Sequence, residues 1–214
     1  MPGVKKRETR AACCPTVAGP CRLYFGKTGG WNLENSILNQ NREILKLVSR
    51  VVNYLGLEHI IIGGWCPYLK YKEIHPGTND VDVLFKNGYI KNNLENFFKR
   101  MIETEGAILS AKHKFQLFFI RQIGKFQYIF SVDVLHPSLD ADEWEMFVDQ
   151  LDLDIDGVKV DTKASIVLPG SQVLFDQNLF ESVDVDGCKI KLINFEGLFL
   201  TKYKSVQNKK RIRD

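Results

Sequence analysis

The sequence predicts an α/β (α+β) fold: a mixed β-sheet flanked by helices, with a small hairpin-and-helix portion at the C-terminus. Three observations predict it. Apolar residues recur at three and four from Leu33 to Leu55, short β-branched runs alternate with helical stretches up to about residue 135, and two Asp-Gly pairs punctuate the last third of the chain. At 214 residues the chain is long enough for one domain with a real core, or a compact domain with an appendage. The hydrophobic fraction of 44% excludes a disordered polymer.

The elements follow in order. Residues 1–25 show no periodicity and contain Pro15, Gly19 and Pro20; they are expected to be a poorly ordered lead-in. Ile37, Leu38, Ile44, Leu45, Leu47, Val48, Val51, Val52 and Leu55 recur at three and four, an amphipathic helix that Gly56 stops. His59–Ile62 is a short β-branched strand running into Gly63-Gly64. A short helix follows from Trp65 to Tyr71, with Pro67 in its first turn. His75-Pro76-Gly77 is a turn, and Asn79–Phe85 alternates as a strand. Ile90–Ile102 reads as a helix, Phe115–Ile120 and Phe126–Leu135 as strands joined around Gly124, and Ala141–Leu151 as a helix. Asp156-Gly157 and Asp186-Gly187 mark hairpins, and Leu174–Leu179 a short helix. Asn194 caps a last helix whose common face is expected to be Phe195, Leu198, Phe199, Tyr203 and Val206. The core is placed at 26–150 and the C-terminal portion at 151–214.

Composition narrows the function classes. No run of about 18 apolar residues exists, which predicts no membrane span, and the N-terminus lacks the apolar stretch of a signal peptide, so a cytoplasmic location is expected. The five cysteines contain no C-x-x-C pair, so they read as free thiols rather than as a zinc site. Net charge is only +3, yet Lys202, Lys204, Lys209, Lys210, Arg211 and Arg213 follow one another with no acid between them. Such a run is either a solvated helix end or a contact surface for polyphosphate or nucleic acid.

Chemistry concentrates in Asp80-Val81-Asp82-Val83. Residues two apart on a strand share a side, so Asp80 and Asp82 face one way and the valines the other. Two carboxylates about 4 Å apart at an effective dielectric of about 20 repel by roughly 4 kcal/mol. A divalent cation offsets that directly, and carboxylate oxygens are what Mg²⁺ prefers. Asp133, between Val132 and Val134, supplies a third acid if its strand lies beside that of Asp80. Three convergent carboxylates can hold two Mg²⁺, which activate an attacking hydroxyl and neutralise a leaving pyrophosphate. Upstream, Gly63-Gly64 ends a strand where a helix begins, and such a turn lets backbone approach a phosphate.

Gly63-Gly64, an Asp80-x-Asp82 motif 16 residues later and Asp133 in a subsequent apolar strand together resemble the DNA-polymerase-β-like nucleotidyltransferase superfamily. The resemblance covers about residues 35–135. It implies transfer of a nucleoside monophosphate from an NTP to a hydroxyl, with two Mg²⁺ (or Mn²⁺) held by Asp80, Asp82 and Asp133. Two branches compete. Gly63-Gly64-Trp65 is similar to the small adenylyltransferases that modify aminoglycosides or lincosamides. Lys202, Lys209 and Arg213-Asp214 resemble the C-terminal helix pattern of abortive-infection (type IV toxin–antitoxin) nucleotidyltransferase toxins, which implies an RNA, tRNA or protein acceptor and a cognate antitoxin. The chain departs from the toxin pattern at Ser131, where those toxins often carry Lys. Gly63, Gly64, Thr78 and Lys202 are the expected nucleotide-binding residues: Lys202 as a point charge on the triphosphate, Thr78 through its hydroxyl. A catalytically inactive nucleotide-binding module is the alternative from outside the enzymes.

Other motifs carry less. Asp152-x-Asp154-x-Asp156-Gly157 begins like an EF-hand loop but has Lys163 where the loop needs Glu. His59, His75, His113 and His136 lack metal-ligand spacing, and only His136, just beyond Asp133, has a route to the rim of the site. Trp65 could stack on a base or pack.

Overall fold

The structure, a computed structural model, describes residues 30–71, 78–86, 91–110, 113, 115–137, 148–155 and 158–207. The lead-in 1–25, the turn at 75–77 and the end of the basic run therefore lie outside the described residues. So do the two residues of the Asp156-Gly157 turn.

Helix α1 (Gly30–Tyr54) precedes β1 (His59–Ile62), α2 (Trp65–Lys70), β2 (Asp80–Phe85) and α3 (Lys91–Glu103). Then come β3 (Ile108–Leu109), β4 (Gln116–Ile123), β5 (Phe126–Pro137), β6 (Val148–Ile155), β7 (Val158–Leu168), α4 (Gln172–Asp176), β8 (Phe180–Val185), β9 (Cys188–Ile193) and α5 (Phe195–Gln207). The nine strands form one mixed sheet in the order β3-β4-β5-β2-β1-β9-β8, with β7 joining the far half of β5 and β6 pairing β7. Strand directions mix as the sequence predicts: β2 runs antiparallel to β1 but parallel to β5, and β9 runs parallel to β1.

Alternation fixes which way each strand faces. Val81, Val83, Val132, Val134, Leu117 and Phe119 are fully buried on one side, where they join Leu45, Val48 and Val52 of α1 and Leu94, Phe97, Phe98 and Met101 of α3 in the core. Each fully buried aliphatic or aromatic side chain contributes about 1.5–3 kcal/mol, so β2 and β5 are held rigidly from that side. Among the described residues no helix is long and apolar enough to cross a membrane.

Two expectations change. Val148–Leu151 is strand, not the end of a helix begun at 141; residues 141–147 lie outside the described residues. Leu151, Leu153 and Ile155 alternate with Asp152 and Asp154, a period of two, and that pattern wins through pairing with β7. Both C-terminal hairpins belong to the one sheet, and position 151 lies within β6. Helix α5 turns a different face inward. Asn194 caps it as expected, its Oδ1 accepting from the Gly197 N–H at 2.9 Å, yet Phe195, Phe199 and Tyr203 are exposed. Gly197 is buried instead, so tightly that a Cβ there would lie 2.8 Å from both Ile193 Cγ1 and the Leu179 carbonyl.

The Asp186-Gly187 hairpin forms as predicted, with φ of +52° and +80° at the two residues, the signs a primed turn requires.

Candidate active site

The parallel pairing of β2 with β5 builds the site. Asp82 stands directly opposite Asp133, and Asp80 opposite Ser131. Partners in register on adjacent strands are about 4.8 Å apart and point the same way. One side of the sheet therefore carries Asp80, Asp82, Asp133 and Ser131, while the valines between them are sealed in the core.

Each carboxylate is placed by a neighbour. The Thr78 hydroxyl donates to Asp80 Oδ1 at 2.5 Å, and the Trp65 indole N–H donates to the Asp80 carbonyl at 2.9 Å. Thr78 is tied in turn to α1 by the buried Asn41, whose side-chain amide donates to the Thr78 carbonyl. Thr78 thus holds an acid, where the sequence suggested a phosphate contact. Trp65 is buried with its N–H satisfied, which excludes it as an open stacking platform.

Asp82 leans on Gly63. A Cβ at Gly63 would sit 2.3 Å from Asp82 Oδ2, and Gly63 has φ of +80°. Only glycine satisfies both conditions. The glycine expected to admit a phosphate is thus the one that admits the Asp82 carboxylate. Helix α2, which begins after Gly64, has only six residues and makes a weak anion site by itself.

Asp133 is the most perturbed group here. Burial pushes its carboxyl up to about 6; the Gln116 hydrogen bond pulls it down, and the negative charge of Asp80 adds to the rise. Gln116 is its register partner on β4. Asp133 Oδ1 is buried with no hydrogen-bond partner among the described residues. Leaving such an oxygen unsatisfied costs about 1–3 kcal/mol, so an electropositive group is wanted there.

Among the described residues, no three His, Cys, Asp or Glu side chains are gathered closely enough to enclose a metal ion as they stand. Asp82 is turned toward Gly63, and Asp133 bonds Gln116. The donors nonetheless fit a hard divalent cation: all are carboxylate oxygens, and Asp133 Oδ1 has a lone pair to give.

Lys202 is exposed on α5, about two turns from the start of that helix. Because β9 runs parallel to β1, α5 starts at the end of the sheet where β1 runs into Gly63-Gly64. His136 is not on the rim. It is buried and shares a 2.6 Å hydrogen bond with Ser165.

Sequence reading missed Gln116, Asn41 and the role of Thr78. Gln116 is one amide in a strand, and only the register of β4 with β5 shows that it meets Asp133.

No protein-family model matches the chain, and no curated protein matches it. Among solved structures, similar chains include an antigenic nucleotidyltransferase-like protein from Paracoccidioides brasiliensis, at 14% identity and a TM-score of 0.41, with 80% of this chain and 70% of that one covered. The antibiotic-resistance factor ANT(2'')-Ia is another, at 14% identity and a TM-score of 0.42, with 83% of this chain and 78% of that one covered.

Proposed function

We propose that this chain is a metal-dependent nucleotidyltransferase that moves a nucleoside monophosphate from an NTP to a hydroxyl acceptor. The observation that carries the reading is the pairing of Asp82 with Asp133, two residues from Asp80 on one side of the sheet, with Gly63 leaving just enough space for the Asp82 carboxylate. Clustered carboxylates cost folding free energy, and Asp133 is partly desolvated as well. Such a cluster fits a cation site better than a structural one, and this speaks against an inactive module.

Asp80, Asp82 and Asp133 would hold Mg²⁺ or Mn²⁺. Bound there, the cations supply charge neutralisation for the triphosphate and for the pyrophosphate that leaves. The chain's own residues do the rest. Thr78 and Trp65 fix Asp80, and Gly63 and Gln116 set Asp82 and Asp133. The acceptor oxygen bonds to the α-phosphorus while the bond from that phosphorus to the β-phosphate bridging oxygen breaks. The acceptor proton passes to the Asp133 carboxylate. Gly63-Gly64 and Lys202 are the proposed triphosphate contacts.

Label transfer tests the reading. Protein with Mg²⁺ or Mn²⁺ receives each α-labelled NTP, with total tRNA, polypeptide and an aminoglycoside panel as separate acceptors. Label is expected in one acceptor class, and Asp80→Ala/Asp82→Ala should lower it on the order of 10³-fold while circular dichroism stays unchanged. Equal labelling by that variant, or no NTP turnover by the folded wild type, overturns the assignment.

A further inference from the structure

The carboxylate side of the sheet continues past the acids along the β4–β5 hairpin. In register on that side lie Gln116 opposite Asp133, Phe118 opposite Ser131, Ile120 opposite Ile129, and Gln122 opposite Gln127. Ile108 of β3 stands opposite Phe118. Ile108, Ile120 and Ile129 are 49%, 44% and 64% exposed, whereas Leu117, Phe119 and Val132 on the other side are fully buried. The result is an open apolar strip with a glutamine border. At about 3.4 Å per residue it begins one residue pair beyond Asp133 and runs roughly 14 Å from it to Ile129.

Sheet order says which reactant meets this strip. Gly63-Gly64 follows β1, on one flank of β2, and β5 with β4 forms the other flank. With the triphosphate on the β1 flank, in-line transfer brings the acceptor from the β4–β5 flank.

We propose that this strip is the acceptor-binding surface and that it takes an uncharged, apolar-flanked hydroxyl-bearing segment of a polypeptide. The inference rests on the nucleotidyltransferase reading. Its chemistry follows from what the register positions carry: glutamine, serine, isoleucine and phenylalanine, with no Lys, Arg, Asp or Glu between Asp133 and Gln122 on that side. A nucleic-acid acceptor needs cations for its phosphates, and a polycationic antibiotic needs carboxylates beyond those that hold metal. A small apolar ligand is usually held in a concave pocket, whereas this strip is open. An apolar centre with an amide border and few charges is the composition of a protein-contact surface. The Ser, Thr or Tyr hydroxyl of such a segment takes the nucleoside monophosphate and releases pyrophosphate, by the bond exchange given above.

The test uses a peptide library with a fixed central Ser, Thr or Tyr and either apolar or charged flanks, assayed with α-labelled NTP and Mn²⁺ beside total tRNA and an aminoglycoside panel. Apolar-flanked peptides are expected to be labelled best. Ile120→Asp/Ile129→Asp should lower kcat/KM for them by about tenfold or more, mainly through KM. Phe126→Asp, which alters an exposed apolar residue on the opposite side by the two-residue period, should label as wild type does. Labelling confined to tRNA or aminoglycoside, or undiminished labelling by Ile120→Asp/Ile129→Asp, overturns the acceptor assignment and leaves the enzyme standing. A wild type that neither labels any acceptor nor releases pyrophosphate to water overturns both.

Discussion

The two sides of β2 and β5 treat ionisable groups differently. The core side has His59 on β1, 1% exposed and in register with Phe85. Its Nδ1–H donates to the Leu57 carbonyl at 2.9 Å, and burial, helped by the charge of Lys191, drives its proton affinity down to about 4. That histidine is neutral at pH 7, so the fold buries no charge there, although its Nε2 is buried with no hydrogen-bond partner among the described residues. The open side has Asp133, where burial acts on a carboxylate and pushes it up to about 6. At pH 7 Asp133 is still mostly ionised, so the fold carries its desolvation. One side is arranged for stability; the other gives up stability to keep a charge in place.

The largest expected effect comes from closing the space under Asp82. Gly63→Ala places a methyl where Asp82 Oδ2 now sits and forces a positive φ on alanine. Transfer should fall about 10²-fold, and stability by roughly 1–3 kcal/mol, measured by label transfer and urea unfolding. Gly124→Ala is the control. It also has positive φ, +61°, but nothing lies within 4 Å of the added Cβ. It should cost about 1 kcal/mol and leave transfer unchanged. Equal activity loss in both would mean that Gly63 matters only as a turn.

Next in size is the pH dependence of the core side. His59 binds its proton more weakly folded than unfolded, about 4 against 6.5. Its neutral form therefore supports the fold fully above about pH 6.5, and that support is lost as pH falls from 6.5 toward 4, at up to about 1.4 kcal/mol per pH unit. Urea midpoints measured from pH 7 to pH 4.5 should show this fall, and His59→Leu should flatten it. An unchanged slope in the variant would place the acid sensitivity elsewhere.

The smallest effect on stability has the opposite sign. Asp133→Asn removes a desolvated charge without changing shape, so the metal-free protein should gain roughly 1 kcal/mol or more while transfer is lost. A loss of stability would mean that the carboxylate, and not the site's chemistry, is what the fold needs.

The shared side of Asp80 and Asp82 was legible in the sequence because a strand's period of two is a local rule: Asp80-x-Asp82 between buried valines needs no tertiary information. Helix α1, strand β2, the Asp186-Gly187 hairpin and the Asn194 cap are local in the same sense, each set by residues within a few positions. Residues 148–151 went astray because a helical reading begun at 141 was carried into a strand that pairing with β7 stabilises. The inward face of α5 went astray because apolar spacing cannot reveal that Gly197, with no side chain, lies closest to Ile193 and Leu179.

What the sequence determined by itself was therefore the fold class, the alternation that points Asp80 and Asp82 one way, and the residue types that suit a cation. The tertiary structure decided that Asp133 lies opposite Asp82, that Gln116 meets Asp133, and that the open strip of isoleucines shares the side of the acids. Those are choices of strand order and register. They depend on which buried faces pack best together across many residues, and no local run of residues contains that information.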